Sequence, residues 1–261
     1  TDVWAGNAQE LIKNKIVPFK DVIGCRDEIM VYLMNQGMEP LDSFKIMEFV
    51  RKGKATKLPE QWPKWEQKMK DANIPDWYIE SCHKIKYMFP KAHAVAYVMS
   101  ALRIAWFKLY KPIMYYATHF SIKVFDFDIK AMIDGYDAIK ERIIEIENKG
   151  FEASNKESSI LEGLQIALEA SARGFKFASI DLNKSDSDKF LIAEDGKTLI
   201  PPFRAIDGLG ETVAKKIVEE REKNYFLSIE DLQKRAKVSS TLIEKMKMMG
   251  ILDGMDESSQ I

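Results

Sequence analysis

Apolar residues recur along the chain at the three- and four-residue spacing of amphipathic helices. The spacing predicts helices over 8–14, 26–35, 41–52, 74–86 and 91–110, then 129–148 and 156–173. Gly37 and Pro40 punctuate the early helices, and Pro75 sits near the first turn of the fourth. In 41–52 the apolar positions Leu41, Phe44, Met47 and Val50 recur every three residues. "RKGKATKLPEQWPKW" between the third and fourth helices reads as a basic loop broken by Gly and Pro. The longest helix opens after Pro90 and closes at Pro112, with Val95, Met99, Leu102, Trp106 and Leu109 as its apolar stripe. His93, Tyr97 and Ser100 lie on a different side. Further on, "FLIAEDGKTLI" reads as a hairpin turned at Asp195-Gly196. The expected class is mainly α with a small β component, and a change in composition places a domain boundary near residue 120.

Composition narrows the setting. The 39 basic and 40 acidic residues give a net charge of -1, so only their segregation is informative. Residues 81–123 hold no acid, yet carry Lys84, Lys86, Lys91, Arg103, Lys108, Lys111, Lys123 and all three histidines. Cys25 and Cys82 are too few for a disulfide framework and form no CxxC, which fits a reducing cytoplasmic setting. No apolar run approaches a membrane span or a signal peptide, so no membrane partner is expected. The opening "TDVWAGNAQELI" and the closing "ESSQI" read as the ends of a piece of something longer.

Three stretches carry candidate chemistry. In "YMFPKAHAVAY", Pro90 fits the first turn of the long helix, leaving amides near Lys91 and Ala92 without intrahelical partners. Those amides, the helix dipole, Lys91 and His93 suit an anion, while Tyr87 and Phe89 offer faces on which a base can stack. The same residues also suit a solvated basic helix with core aromatics. In "FVRKGKATK", Arg51 and Lys52 either face a phosphate or simply complement a helix C-terminus. In "IDGLGETVAKKIVEERE", an apolar residue, Gly-x-Gly and a helix with Ala214 and Ile217 inward match a helix-hairpin-helix. Gly208 and Gly210 permit a tight turn around Leu209, and amides beside Lys215 and Lys216 can hold a DNA phosphate whatever the sequence. An ordinary αα-hairpin with a glycine turn is the alternative. "LQKRAKVSSTLIEKMKMMGIL" repeats the rhythm without glycines and reads as a second copy that packs rather than binds. Asp126 and Asp128 in "FDFD" alternate as if to share a metal, but Asp128 is a natural N-cap and no third carboxylate completes a site.

With "DVIGCRDEIMVYL", "KIMEFVRKGK" and "KIKYMFPKAHAVAYVMSALRIAWFKLYKP" in view, the chain resembles bacterial replicative DNA polymerase III of the PolC type, over essentially its whole length. The resemblance implies part of a helical fingers domain over 1–120, followed by an α+β duplex-binding domain over 121–261 with its helix-hairpin-helix at about 201–250. It makes Arg26, Arg51, Lys52, Lys91 and His93 candidates for the triphosphate of an incoming deoxynucleoside triphosphate. Tyr87, Phe89 and Tyr97 become candidates for its base and sugar. Gly208, Leu209, Gly210, Lys215 and Lys216 fall on the side facing primer-template DNA. In this family the aspartates that hold two magnesium ions lie in an upstream palm domain, so Mg2+ is implied only for the full enzyme. No catalytic residue is expected in this chain, whose implied partners include the palm and other upstream domains. The family's clamp-binding peptide begins with Gln; the chain stops at Gln260-Ile261, so sliding-clamp binding is not expected of it. A non-enzymatic helix-hairpin-helix module of a repair or recombination protein is the alternative reading, and a helical scaffold meeting an acidic protein is a third.

Overall fold

The computed structural model describes residues 2–258, which form two compact units that divide between Arg103 and Ile104. The fold is mainly helical, with one three-stranded sheet among the described residues.

The first unit holds α1 (Gln9–Lys13), α2 (Arg26–Asn35), α3 (Pro40–Val50), α4 (Lys54–Lys57), α5 (Trp62–Asp71) and α6 (Asp76–Lys84). A reciprocal cap starts α2, where the Glu28 carboxylate accepts from the amides of Gly24 (3.0 Å) and Cys25 (3.2 Å). Gly37, at φ +89°, lets the chain leave it. Ile29 and Leu33 of α2 share a core with Ile46 and Val50 of α3, all four fully buried. Each such burial contributes about 1.5–3 kcal/mol. The buried face of α3 is Ser43, Ile46, Met47, Phe49 and Val50, whereas Leu41 and Phe44 are exposed. A strict spacing of three drifts around a helix of 3.6 residues per turn, so half of the expected stripe turns outward. Part of the expected basic loop is helical: Pro63 sits in the first turn of α5, where a missing amide costs nothing.

The long helix α7 (Lys91–Tyr110) has the expected bounds, but none of its residues is buried and its apolar stripe is 47–65% exposed. Pro112, read as a stop, also opens α8 (Pro112–Ile122). The second unit continues with α9 (Ile129–Asp134), α10 (Tyr136–Lys149) and α11 (Asn155–Ala172). The single helix expected over 129–148 is divided because Gly135 takes φ +96°. Strands β1 (Lys176–Phe177), β2 (Leu191–Ile192) and β3 (Thr198–Ile200) make a sheet of order β1-β3-β2. The expected hairpin is the antiparallel β2–β3 pair, with Leu191 opposite Ile200 and Gly196 at φ +65°. The unexpected β1 runs parallel to β3. Then come α12 (Glu211–Lys223), α13 (Ile229–Ala236) and α14 (Ser240–Met248). Tyr116, Phe120, Ile139, Leu164, Leu199, Phe203, Ile217 and Met246 are buried in this unit's core.

Candidate functional site

In the first unit, three of the cations singled out from sequence, Arg26, Arg51 and Lys52, meet at Glu48, and a fourth, Lys91, lies beside Asp27 and Glu28. Glu48, on the last turns of α3, accepts from both Nε and NH2 of Arg51, the latter at 2.9 Å. Lys52 Nζ lies 2.9 Å from the same carboxylate, and Arg26 approaches it at 3.9 Å from the start of α2. Arg51 first, then Lys52, hold the Glu48 carboxyl down to about 2 against a partial desolvation that opposes them. The guanidinium of Arg51 is correspondingly held above its ordinary value by Glu48. The Nε atom of Arg26 is buried without a partner.

Backbone bonds tie this cationic end of α3 to the aromatic run. Met88 N donates to Arg51 O (3.1 Å), and Arg26 N donates to Phe89 O (3.1 Å). Gly53, at φ +64°, sits so close to Lys86 that a Cβ there would lie 2.2 Å from its carbonyl oxygen. The rings of Tyr87, Phe89, His93 and Tyr97 then follow one another. Tyr87 meets Phe89 edge-on at 4.9 Å, Phe89 stacks on His93 at 5.1 Å and 10°, and His93 tilts against Tyr97 at 4.4 Å. Tyr87, Phe89 and Tyr97 are 43%, 48% and 67% exposed, so the ladder presents aromatic surface to solvent.

The expected anion-binding amide at the start of α7 has a partner within the chain. Lys91 N donates to Asp27 Oδ2 at 2.6 Å, and Lys91 Nζ lies 3.8 Å from Glu28. A carboxylate is a natural cap for the positive end of a helix dipole. Spacing could not show this pair, because 64 residues separate its members. Glu48, by contrast, was visible as an acid three and four residues before Arg51 and Lys52.

The glycine hairpin lies in the second unit. Gly208 takes φ +85°, Leu209 is buried, and Gly210 caps α12 with open space around it. Ala214 and Ile217 are fully buried, as their spacing requires. The element before the turn is one 3₁₀ turn, Phe203–Ala205, in place of a full helix. Lys215 pairs with Glu211, and Lys216 with Glu220 at 3.0 Å, all on α12 itself. The second copy is α13, a Lys237 in the left-handed region, and α14; it packs through Val238, Leu242, Ile243 and Met246. Two lysines that sequence reading did not single out reach Asp207, beside the turn. Lys156 comes from α11, and Lys245 of α14 donates to Asp207 O (2.8 Å) and Oδ2 (3.2 Å).

Asp128 caps α9 by accepting from Ala131 N (3.1 Å) and pairs with Arg142 (2.9 Å). No group of three or more His, Cys, Asp or Glu able to hold a metal ion is present among the described residues.

Two family models match parts of the chain. Residues 1–73 match the bacterial DNA polymerase III alpha subunit finger domain, and residues 174–260 match a helix-hairpin-helix motif. The whole chain is 53% identical over 261 residues to the DNA polymerase III PolC-type of Bacillus subtilis. It is 54% identical to the proteins of that name from Listeria monocytogenes and Streptococcus pyogenes. The chain belongs to the PolC-type DNA polymerase III family, and it spans about a fifth (18%) of the length of these relatives.

Proposed function

We propose that this chain supplies the nucleotide-facing and duplex-facing parts of a replicative DNA polymerase. In this reading residues 1 to about 120 serve the incoming deoxynucleoside triphosphate, and residues 121–261 hold primer-template DNA behind the active site. The observation that carries it is the convergence of Arg26, Arg51 and Lys52 on Glu48 next to an exposed ladder of Tyr87, Phe89, His93 and Tyr97. Guanidinium groups suit phosphate oxygens, and aromatic faces suit bases. The reaction of the full enzyme is attack of a primer 3′-hydroxyl on the α-phosphate, with pyrophosphate leaving. Cations beside the β- and γ-phosphates lower that barrier by neutralising charge that grows on the leaving group. Lys91 and His93 stand in the first turn of α7, where His93 stacks on Phe89 and Lys91 lies near Glu28.

Magnesium belongs to the palm aspartates of the longer enzyme in this reading. In that division of labour this chain contributes binding and positioning. No described helix is long and apolar enough to cross a membrane. Such an enzyme works on the chromosome in the cytoplasm, packed with its own upstream domains. Gln260-Ile261, on which the sliding-clamp expectation rests, lie outside the described residues.

The test uses a full-length polymerase carrying this segment. Lys91→Ala and His93→Ala are expected to raise the KM for nucleotide or lower kcat at least tenfold, with duplex affinity unchanged. The isolated chain is expected to bind duplex weakly with steep salt dependence and to extend no primer in magnesium. Wild-type incorporation by both variants, or primer extension by the chain alone, sinks the proposal.

A further inference from the structure

The hairpin turn carries an acid where a binder of polyanions would not be expected to keep one. Asp207 directly precedes Gly208-Leu209-Gly210, and its side chain is 64% exposed. Two lysines converge on it from elements far apart in the chain, Lys156 from α11 and Lys245 from α14, 51 and 38 residues away. Each also lowers the Asp207 carboxyl below its ordinary range, Lys156 more than Lys245. Lys245 Nζ lies over the turn itself, 3.7 Å from where a side-chain carbon on Gly208 would stand. Lys215 and Lys216 are arranged differently, because their acids Glu211, Glu219 and Glu220 lie along the same helix at three- and four-residue spacing. Those pairs form wherever the helix forms. The Lys156–Asp207–Lys245 bracket exists only because the fold brings three separate elements to the hairpin tip.

We propose that Asp207 holds the place of a DNA phosphate, and that Lys156 and Lys245 pass from Asp207 to the phosphate when duplex docks. The proposal rests on the hairpin being a duplex-binding element, and it adds two contact residues and a regulating acid to it. An exposed carboxylate–lysine pair contributes little to stability, so a polyanion can take the lysines over at small cost. Once there, each displaces condensed counterions from the DNA, which water around the free protein cannot do. The second hairpin copy thus takes part in binding through Lys245 while its apolar face packs. Asp207 occupies the two ammonium groups in the absence of DNA, so it competes with the phosphate for them.

The test measures duplex affinity of the full-length polymerase against salt concentration. Lys156→Gln and Lys245→Gln are each expected to reduce the slope of log affinity against log salt by about 1. Each is also expected to weaken binding at low salt by roughly tenfold, while the KM for nucleotide stays unchanged. Asp207→Asn frees both lysines and is expected to tighten duplex binding severalfold. Gly210→Leu tests the underlying reading separately: a Cβ there meets nothing within 4 Å and φ is not positive, so the side chain crowds the approach to the α12 amides with its first carbon unclashed. If Gly210→Leu weakens binding but the lysine variants leave the slope unchanged, the inference falls and the hairpin reading stands. If Gly210→Leu is also without effect, the hairpin reading falls with it. Loss of binding in a folded Asp207→Asn protein also overturns the inference, since Asp207 would then be a structural holder of the turn.

Discussion

Replacing Gly53 by alanine tests whether the turn after α3 fixes the position of the aromatic run. Gly53 has φ +64°, and a Cβ there would lie 2.2 Å from Lys86 O and 2.8 Å from Lys86 C and Cα. The left-handed conformation alone costs an alanine about 1 kcal/mol. The contact is with backbone, which cannot rotate away, so the 86–88 segment must shift at an overpacking cost of about 2 kcal/mol. A loss of about 3 kcal/mol follows, enough to move the urea midpoint of the first unit by more than about 1 M. Gly37→Ala is the control, because Gly37 has φ +89° but nothing within 4 Å. It is expected to lose only about 1 kcal/mol. Because Met88 is bonded to Arg51 O next to Gly53, the Gly53 variant is also expected to shift the near-ultraviolet circular dichroism of the aromatic ladder. Equal denaturation midpoints for the two variants would refute the reasoning.

Glu48 gives a pH dependence with a definite sign. Its carboxyl is held at about 2, below the ordinary 4.5, so its contribution is full above about pH 4.5 and is lost as pH falls toward 2. Allowing for solvent screening, Glu48→Gln is expected to remove about 2 kcal/mol at neutral pH and to flatten the acid limb of stability measured by urea titration from pH 6 to 3. Parallel acid limbs in the two proteins would argue against that pairing. Arg204→Ala is expected to destabilise the second unit by about 3 kcal/mol, because it strips donors from Phe120 O, Ser121 O and Val124 O at the end of α8. Lysine cannot reproduce the fork, so Arg204→Lys should recover less than half of the loss in the same unfolding experiment.

Sequence period served best where one helix runs between clear boundaries. The bounds of α2 and α7 were legible because Gly37 and Pro40 close off the first, and Pro90 and Pro112 bracket the second. Proline misled where it opens a helix: α5 and α8 both carry it in their first turn, and it reads the same in a loop. Gly135 splits a long periodic stretch because its backbone turns to positive φ, which periodicity does not record. The apolar stripe of α7 was legible as a stripe, but its exposure was not, since spacing says which residues share a face and not whether that face is covered.

The candidate sites show a further limit of reading charge from sequence. Counting cations marked Arg51, Lys52, Lys91, Lys215 and Lys216, and each of them turns out to have an acidic partner. That is how a chain of net charge -1 can keep dense groups of cations without their mutual repulsion unfolding it. The partners differ in how readily they let go. Glu48 is only 24% exposed and is gripped through both oxygens by an Arg fork, so it remains in place as a scaffold that orients Arg26 and Lys52. Asp207 is 64% exposed and is held by two flexible lysines, so it can release them to a phosphate. Half-burial and bidentate geometry thus separate an acid that builds a site from an acid that guards one, and neither property is written in the order of residues. The difference has a thermodynamic consequence: neutralising Glu48 should loosen its cations and weaken anion binding, whereas neutralising Asp207 should strengthen it.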